Sequence, residues 1–239
     1  QKLYDSISNI GKGAFKGCET LNNVILPKNA SFTKLSSDTF AQCTNLSEIT
    51  IPENITSFLN GSKVTNLQAT TPVIGDGIFS DCTSLVDIKL PSKLTNIGNE
   101  AFSGCHSLKS IDMPEAVTSV GDYAFYDCRK LTSVKYGTKL TTIGRYAFEN
   151  CMELPEFKIS ANIKTIGNGA LSSCEKMLKL TIASDIIKKD FYKNVILTHS
   201  PECLKLYSDT EGLIHKNINT IEILDGVKTI NENAFSYAD

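Results

Sequence analysis

The sequence predicts a solenoid: stacked turns around one long narrow core, with a strand on one side of each turn and a tight return on the other. Three observations carry that reading. Cys82, Cys105, Cys128, Cys151 and Cys174 stand 23 residues apart. The segments around them repeat in step, from IGDGIFSDCTSLVDIKLP at Ile74 to IGNGALSSCEKMLKLTI at Ile166. All share one skeleton: Ile-Gly, two variable residues, Ala-Phe, two variable, Cys, two variable, an apolar residue, two variable, then apolar-x-apolar. No single repeat of this length can bury its own apolar face, so stacking must supply the core.

Earlier copies fit the same frame. Residues 10–27 match it, and 35–52 match with Leu-Ser for Ile-Gly and Thr39-Phe40 for Ala-Phe. Another copy opens at 230–235. Within each copy, runs such as Leu108-x-x-Ile111-x-Met113 and Leu131-x-x-Val134-x-Tyr136 alternate apolar with polar residues, which is strand periodicity. Pro27, Pro52, Pro91 and Pro114 end those strands, because proline has no N–H for a ladder. Ala-Phe-x-x-Cys-x-x-Leu spaces its apolar residues by three, so the return side is expected to be a short helical or 3₁₀ turn. Gly11, Gly75, Gly98, Gly121, Gly144 and Gly167 fall where the chain passes between the two sides, and are expected to provide unusual backbone angles. Six phenylalanines, Phe15, Phe40, Phe79, Phe102, Phe125 and Phe148, should form one buried spine beside the cysteines.

This skeleton resembles the leucine-rich repeats of the BspA-like, or Treponema pallidum, type over roughly residues 8–182 and again 218–238. The resemblance implies a right-handed solenoid with a parallel sheet on its concave side. It also implies a surface or secreted protein that binds host or partner macromolecules. Gly137 and Ser160 depart from the pattern in place of the strand-ending proline, and Leu171 in place of the phenylalanine.

One elongated domain is expected over 1–239, with two irregular segments. Cys43 and Cys82 are 39 residues apart, 16 more than the period, and the surplus in 53–73 reads as an inserted loop or degenerate turn. In 183–217 the frame is lost: Ile186, Phe191 and Leu197 keep an echo of it, Asn194 takes the cysteine position, and Leu204-x-Leu206 offers a strand. The chain starts almost on a repeat and stops at Ala238-Asp239, just where the next cysteine would fall, which reads as a fragment of a longer protein.

Composition narrows the function. With 24 Lys and Arg against 26 Asp and Glu, and a net charge of −2, the chain has no electrostatic case for nucleic acid. No run of 18 apolar residues exists, so this segment inserts no membrane helix. Eight cysteines raise disulfide and metal readings. A column of cysteines at one repeat position is linear, whereas zinc needs converging ligands, so reduced buried thiols are the favoured reading and no metal or other cofactor is expected. His106 follows Cys105, but neighbours on a tight turn diverge and Cys105 is a core position, so no catalytic pair and no enzyme is expected. Asn29, Asn45, Asn54 and Asn60 open short glycosylation patterns that matter only in a eukaryotic secretory setting.

What remains is surface. The outward strand positions form two columns: Asn23, Glu48, Asp87, Ser110, Ser133, Glu156, Lys179, and Ile25, Thr50, Lys89, Asp112, Lys135, Lys158, Thr181. Lys89, Asp112, Lys135, Glu156 and Lys158 are the expected contacts of a ligand on this face. A second candidate patch, Tyr123 and Tyr146 with Arg145, lies just before the Ala-Phe pairs, and 53–73 is a third. The expected function is a non-catalytic binding module, at the cell surface or outside the cell, for a protein or glycan ligand, host extracellular matrix included. The alternative is a spacer or stalk that displays another domain.

Overall fold

The computed structural model describes residues 7–32, 34–55, 57–59, 73–184, 195, 218, 220–225 and 227–230. Their strands fall into two ladders. The apolar-x-apolar runs supply the first: β3 (Glu48–Thr50), β6 (Asp87–Lys89), β8 (Ser110–Asp112), β10 (Ser133–Lys135), β12 (Glu156–Ile159), β14 (Lys179–Ile182) and β15 (Thr220–Ile223). Every pair is parallel, and successive regular turns pair one period apart, as Ser110 with Ser133 and Glu156 with Lys179. The hydrogen-bonded groups are β3-β6, β8-β10 and β12-β14-β15, so this ladder is interrupted after β6 and after β10.

A second parallel ladder was not anticipated. It consists of β1 (Asn9–Ile10), β2 (Lys34–Ser36), β4 (Ser57–Leu59), β5 (Val73–Ile74), β7 (Asn96–Ile97), β9 (Ser119–Val120), β11 (Thr142–Ile143) and β13 (Thr165–Ile166), grouped as β1-β2-β4 and β5-β7-β9-β11-β13. Its inward residues come in pairs spaced by three, such as Leu94 with Ile97 and Val117 with Val120, all buried. That spacing hides the strand from an alternation test.

The glycines that follow this ladder serve a different purpose from the one expected. Gly121, Gly144 and Gly167 are not in the left-handed region. Instead they stack backbone on backbone: a Cβ on Gly144 would lie 2.4 Å from the carbonyl carbon of Gly121, and one on Gly167 2.4 Å from the nitrogen of Arg145. Close approach, not unusual φ, requires glycine here. The proline departures have a simple account too. Pro91 and Pro114 accept from Leu94 and Val117 N–H, and Gly137 and Ser160 accept in the same way from Leu140 and Ile163. The position contributes only a carbonyl, which any residue has.

Helical or 3₁₀ turns are absent from the described return side between residues 11 and 175, which consists of tight turns. Left-handed residues interrupt it twice per turn, for example at Glu100 (φ 54°) and Gly104 (φ 73°). Alternate N–H groups leave the turn altogether: Glu100, Phe102 and Gly104 donate to the carbonyls of Asp122, Ala124 and Tyr126 in the next one. Between these, Ser103, Cys105 and Leu108 donate three residues back. The backbone is thus satisfied between turns as well as within them, and a helix is unnecessary.

The core is a stack of identical layers. Rings of Phe40, Phe79, Phe102, Phe125 and Phe148 succeed one another at 5.1–5.7 Å between centroids and within 14° of parallel. Phe15 continues the stack at 5.4 Å but is only half-buried, so the expected spine is fully buried from Phe40 onward. Leu171 ends it, and Phe148 meets Phe157 at 52° instead. Alongside runs the cysteine column. Each thiol donates to the phenylalanine carbonyl of the preceding turn, Cys82 to Phe40 at 3.0 Å, Cys105 to Phe79 at 3.2 Å and Cys128 to Phe102 at 3.2 Å. Cysteine therefore packs as a small apolar side chain while linking two turns with a weak donor.

Burial pushes the Cys43 thiol up from an ordinary 9.0 to about 11. It also raises Cys82, Cys105, Cys128, Cys151 and Cys174. Raised folded-state values stabilise the fold fully below the unfolded thiol range; above it the unfolded chain ionises first and binds fewer protons. Unfolding midpoints measured by circular dichroism should accordingly fall as pH rises from 9.0 through about 11. A flat profile would mean that these thiols are not in the core.

Cysteine accessibility needs one correction. All seven described cysteines are free, but Cys18 is exposed whereas Cys43 to Cys174 are buried; Cys203 lies outside the described residues. Thiol titration of the native protein should label Cys18 quickly and leave Cys43, Cys82, Cys105, Cys128, Cys151 and Cys174 protected. Unfolding without reductant should then bring the total to eight, the number in the chain. A lower total would reveal disulfides.

The first irregularity has a clear geometric meaning. Leu35 pairs with Phe58 one period on, yet Ile74 follows Phe58 by only 16 residues and pairs with Ile97. Meanwhile β3 pairs directly with β6, and Phe40 N–H donates to Ile78 O. The surplus residues thus give the second ladder one extra rung, β4, that the first ladder and the return side do not share. In the second irregularity β14 pairs directly with β15, Leu180 opposite Ile221, so no rung lies between them; Leu204 and Leu206 lie outside the described residues. Leu171 N–H donates to Val195 O, the contact Phe148 makes with Ala170. Val195 thus occupies the alanine level, five residues later than the Phe191 echo would put it; Ile186, Phe191, Asn194 and Leu197 lie outside the described residues.

Candidate binding surface

The first ladder aims alternate side chains outward, and that places the expected contacts. Lys89, Asp112, Lys135, Glu156 and Lys158 are all exposed on one face. Register pairing sets Asp112 beside Lys135, whose ammonium lies 3.5 Å from the carboxylate. With side chains 71% and 73% exposed, that pair is well solvated and contributes little to stability. Glu156 pairs in register with Lys179, and Lys179 reaches Glu222 at 2.7 Å, holding that carboxyl below its usual range. Glu222 and Thr220 extend the two columns by a further rung. Lys135 and Lys158 stand on either side of the break after β10, where the phenol of Tyr136 donates across to the Lys158 carbonyl.

The tyrosine patch exists but is less open than expected. Tyr123 and Tyr146 stack at 5.0 Å, and Tyr126 meets Tyr123 edge-on at 5.8 Å. Both Tyr123 and Tyr146 occupy left-handed backbone positions and are half-buried. Arg145 is bound by Asp122, through its N–H at 2.7 Å and its guanidinium at 3.3 Å. As for the third patch, most of 53–73 lies outside the described residues.

No reactive pairing forms at Cys105. Its thiol is buried and donates to Phe79, while His106 Nε2 lies 2.9 Å from Asp127 Oδ2. Asp127 also receives Arg129 through two bonds of 2.9 Å. This is a structural link between turns. The described residues contain no group of three or more metal-ligating side chains, and no helix long and apolar enough to cross a membrane.

One feature of the face escaped sequence reasoning. A groove of about 920 Å³ runs over β3, β6 and β8, floored by Ile51, Pro52, Ile88 and Leu90 and rimmed by Lys28, Asp87, Lys89 and Asp112. An adjoining hollow of about 370 Å³ continues it to Ile25. The chain did carry a signal: Ile25 is the apolar member of an otherwise polar column.

Two ladders of parallel strands, one period per turn, around a stacked core define a solenoid repeat protein that presents a regular surface. The chain belongs to the BspA type leucine rich repeat family, whose model matches residues 2–71 and 72–198 in six copies. Among solved structures it is similar to a leucine-rich repeat protein from Bacteroides ovatus, with 22% identity and a TM-score of 0.60, over 98% of this chain and 63% of that one. It is also similar to a leucine rich repeat protein from T. pallidum, with 20% identity and a TM-score of 0.56, over 77% of this chain and 72% of that one. The chain thus spans less than two thirds of the Bacteroides structure. Comparison with curated proteins gives no match.

Proposed function

We propose that this chain is a non-catalytic binding module, at the cell surface or outside the cell, that recognises a protein or glycan ligand through the outward face of the first ladder. The observation that carries the reading is the fixed row of exposed side chains, Lys89, Asp112, Lys135, Glu156 and Lys158, on in-register parallel strands. Neighbouring rungs lie about 4.8 Å apart, so several of these groups can engage one ligand at little ordering cost. Family membership supports the same reading. Charges of both signs are mixed on the face, so affinity should weaken only moderately with salt.

Capture of matrix and serum proteins on the immobilised chain, followed by Lys135→Glu with Lys158→Glu, tests it. Affinity should fall at least tenfold for a captured partner. An effect within twofold, with loss of binding on Tyr123→Ala and Tyr146→Ala instead, would move the site to the tyrosine patch. Indifference to every change would favour the spacer reading.

A further inference from the structure

Among the described residues, three pairs of charged residues meet in register on this face, two of opposite sign and one of like sign. Where two charged residues meet in register on the first ladder, Asp112 faces Lys135 and Glu156 faces Lys179, opposite charges in each case. Glu48 faces Asp87, like against like. Both carboxylates are exposed, and neither has an ion-pair partner among the described residues. Two anions directly opposite each other on neighbouring strands destabilise a sheet unless a cation covers them. The like-charged pair lies on the groove: Asp87 rims both hollows, Glu48 the smaller one, and Ile25, 77% exposed, stands at its end. Ile25 adds an apolar contact point to an otherwise charged rim.

Resting on the reading of this face as the binding surface, we propose that the groove over β3, β6 and β8 docks an extended peptide segment of a protein partner, one that carries an arginine or lysine together with an apolar side chain. The cationic side chain covers Glu48 and Asp87. The apolar one packs on Ile25, and Thr50 lines the backbone's path. Crossing the rungs from Ile25 to Asp112 takes three strand spacings, about 14 Å, which four extended residues span. Lys28 and Lys89 line the same hollow as the two carboxylates and disfavour a second basic residue in the segment. Neighbouring groups supply the selectivity, because a partner with an acidic residue in place of the basic one would add a third carboxylate to two that already face each other.

A displayed library of random hexapeptides, selected on the immobilised chain, tests this directly. Peptides enriched on the unaltered chain should carry arginine or lysine with Leu, Ile, Val or Phe within two positions. Enrichment should fall at least tenfold on the Glu48→Gln, Asp87→Asn double variant and on Ile25→Ser. All three positions are exposed, so the fold should persist, as protection of the buried thiols would verify; the double variant should unfold no earlier than the parent. Enrichment of acidic peptides, enrichment without charge preference, or none at all would overturn the proposal. Selected peptides that survive neutralisation of Glu48 and Asp87 but are lost on Lys135→Glu with Lys158→Glu would overturn the groove and leave the sheet-face reading standing. Peptides indifferent to both sets would sink both.

Discussion

Phe125→Ala is expected to lower stability by about 3–5 kcal/mol, the range for truncating a fully buried aromatic. Phe125 sits mid-stack, with Phe102 at 5.1 Å on one side and Phe148 at 5.2 Å on the other, both nearly parallel to it. Removal opens a void between two rings that the backbone ladders hold one turn apart, so collapse to fill it would require breaking bonds such as Phe102 to Ala124 and Phe125 to Ala147. The same change at Phe15, half-buried with one ring neighbour among the described phenylalanines, should cost clearly less. Chemical denaturation of both variants gives the comparison; equal losses would mean that the stack, as a continuous column, carries no special weight.

Gly144→Ala should cost about 3 kcal/mol, the upper end for forcing one extra methyl into a packed site. The added carbon would meet Gly121 C at 2.4 Å, Asp122 N at 2.5 Å and Gly121 O at 2.6 Å, all backbone atoms that cannot swing aside. Relief requires prying one turn from the next on the second ladder, where Gly144 N–H donates to Val120 O. Gly11→Ala is the control. Nothing lies within 4 Å of a Cβ there, and its φ is not positive, so alanine should be neutral or stabilise by up to about 1 kcal/mol through the unfolded chain. If both substitutions cost alike, glycine is serving conformational freedom after all and the stacking account fails.

The candidate face was legible because a strand presents every second side chain. Once Ile111 and Val134 are assigned inward, Asp112 and Lys135 must point out, and one period of 23 residues places them on neighbouring rungs. The groove was not legible in the same way. It depends on which rungs remain hydrogen-bonded and which part, and the skeleton is the same at β6 and β8, where the ladder is broken, as at β8 and β10, where it is not.

The sequence by itself determined the repeat: its period, its inward residues, the phenylalanine and cysteine columns, and the outward columns, because each follows from local periodicity copied at a fixed interval. Tertiary structure decided what depends on contact between turns. It made a second ladder from residues spaced by three, whose pairing partner is another turn and not a neighbour in the chain. Glycine was required by the approach of stacked backbones, which no single repeat reveals. The surplus residues after Ile55 became one extra rung on one ladder only, since whether an insertion loops out or pairs depends on which neighbouring strand offers it hydrogen bonds.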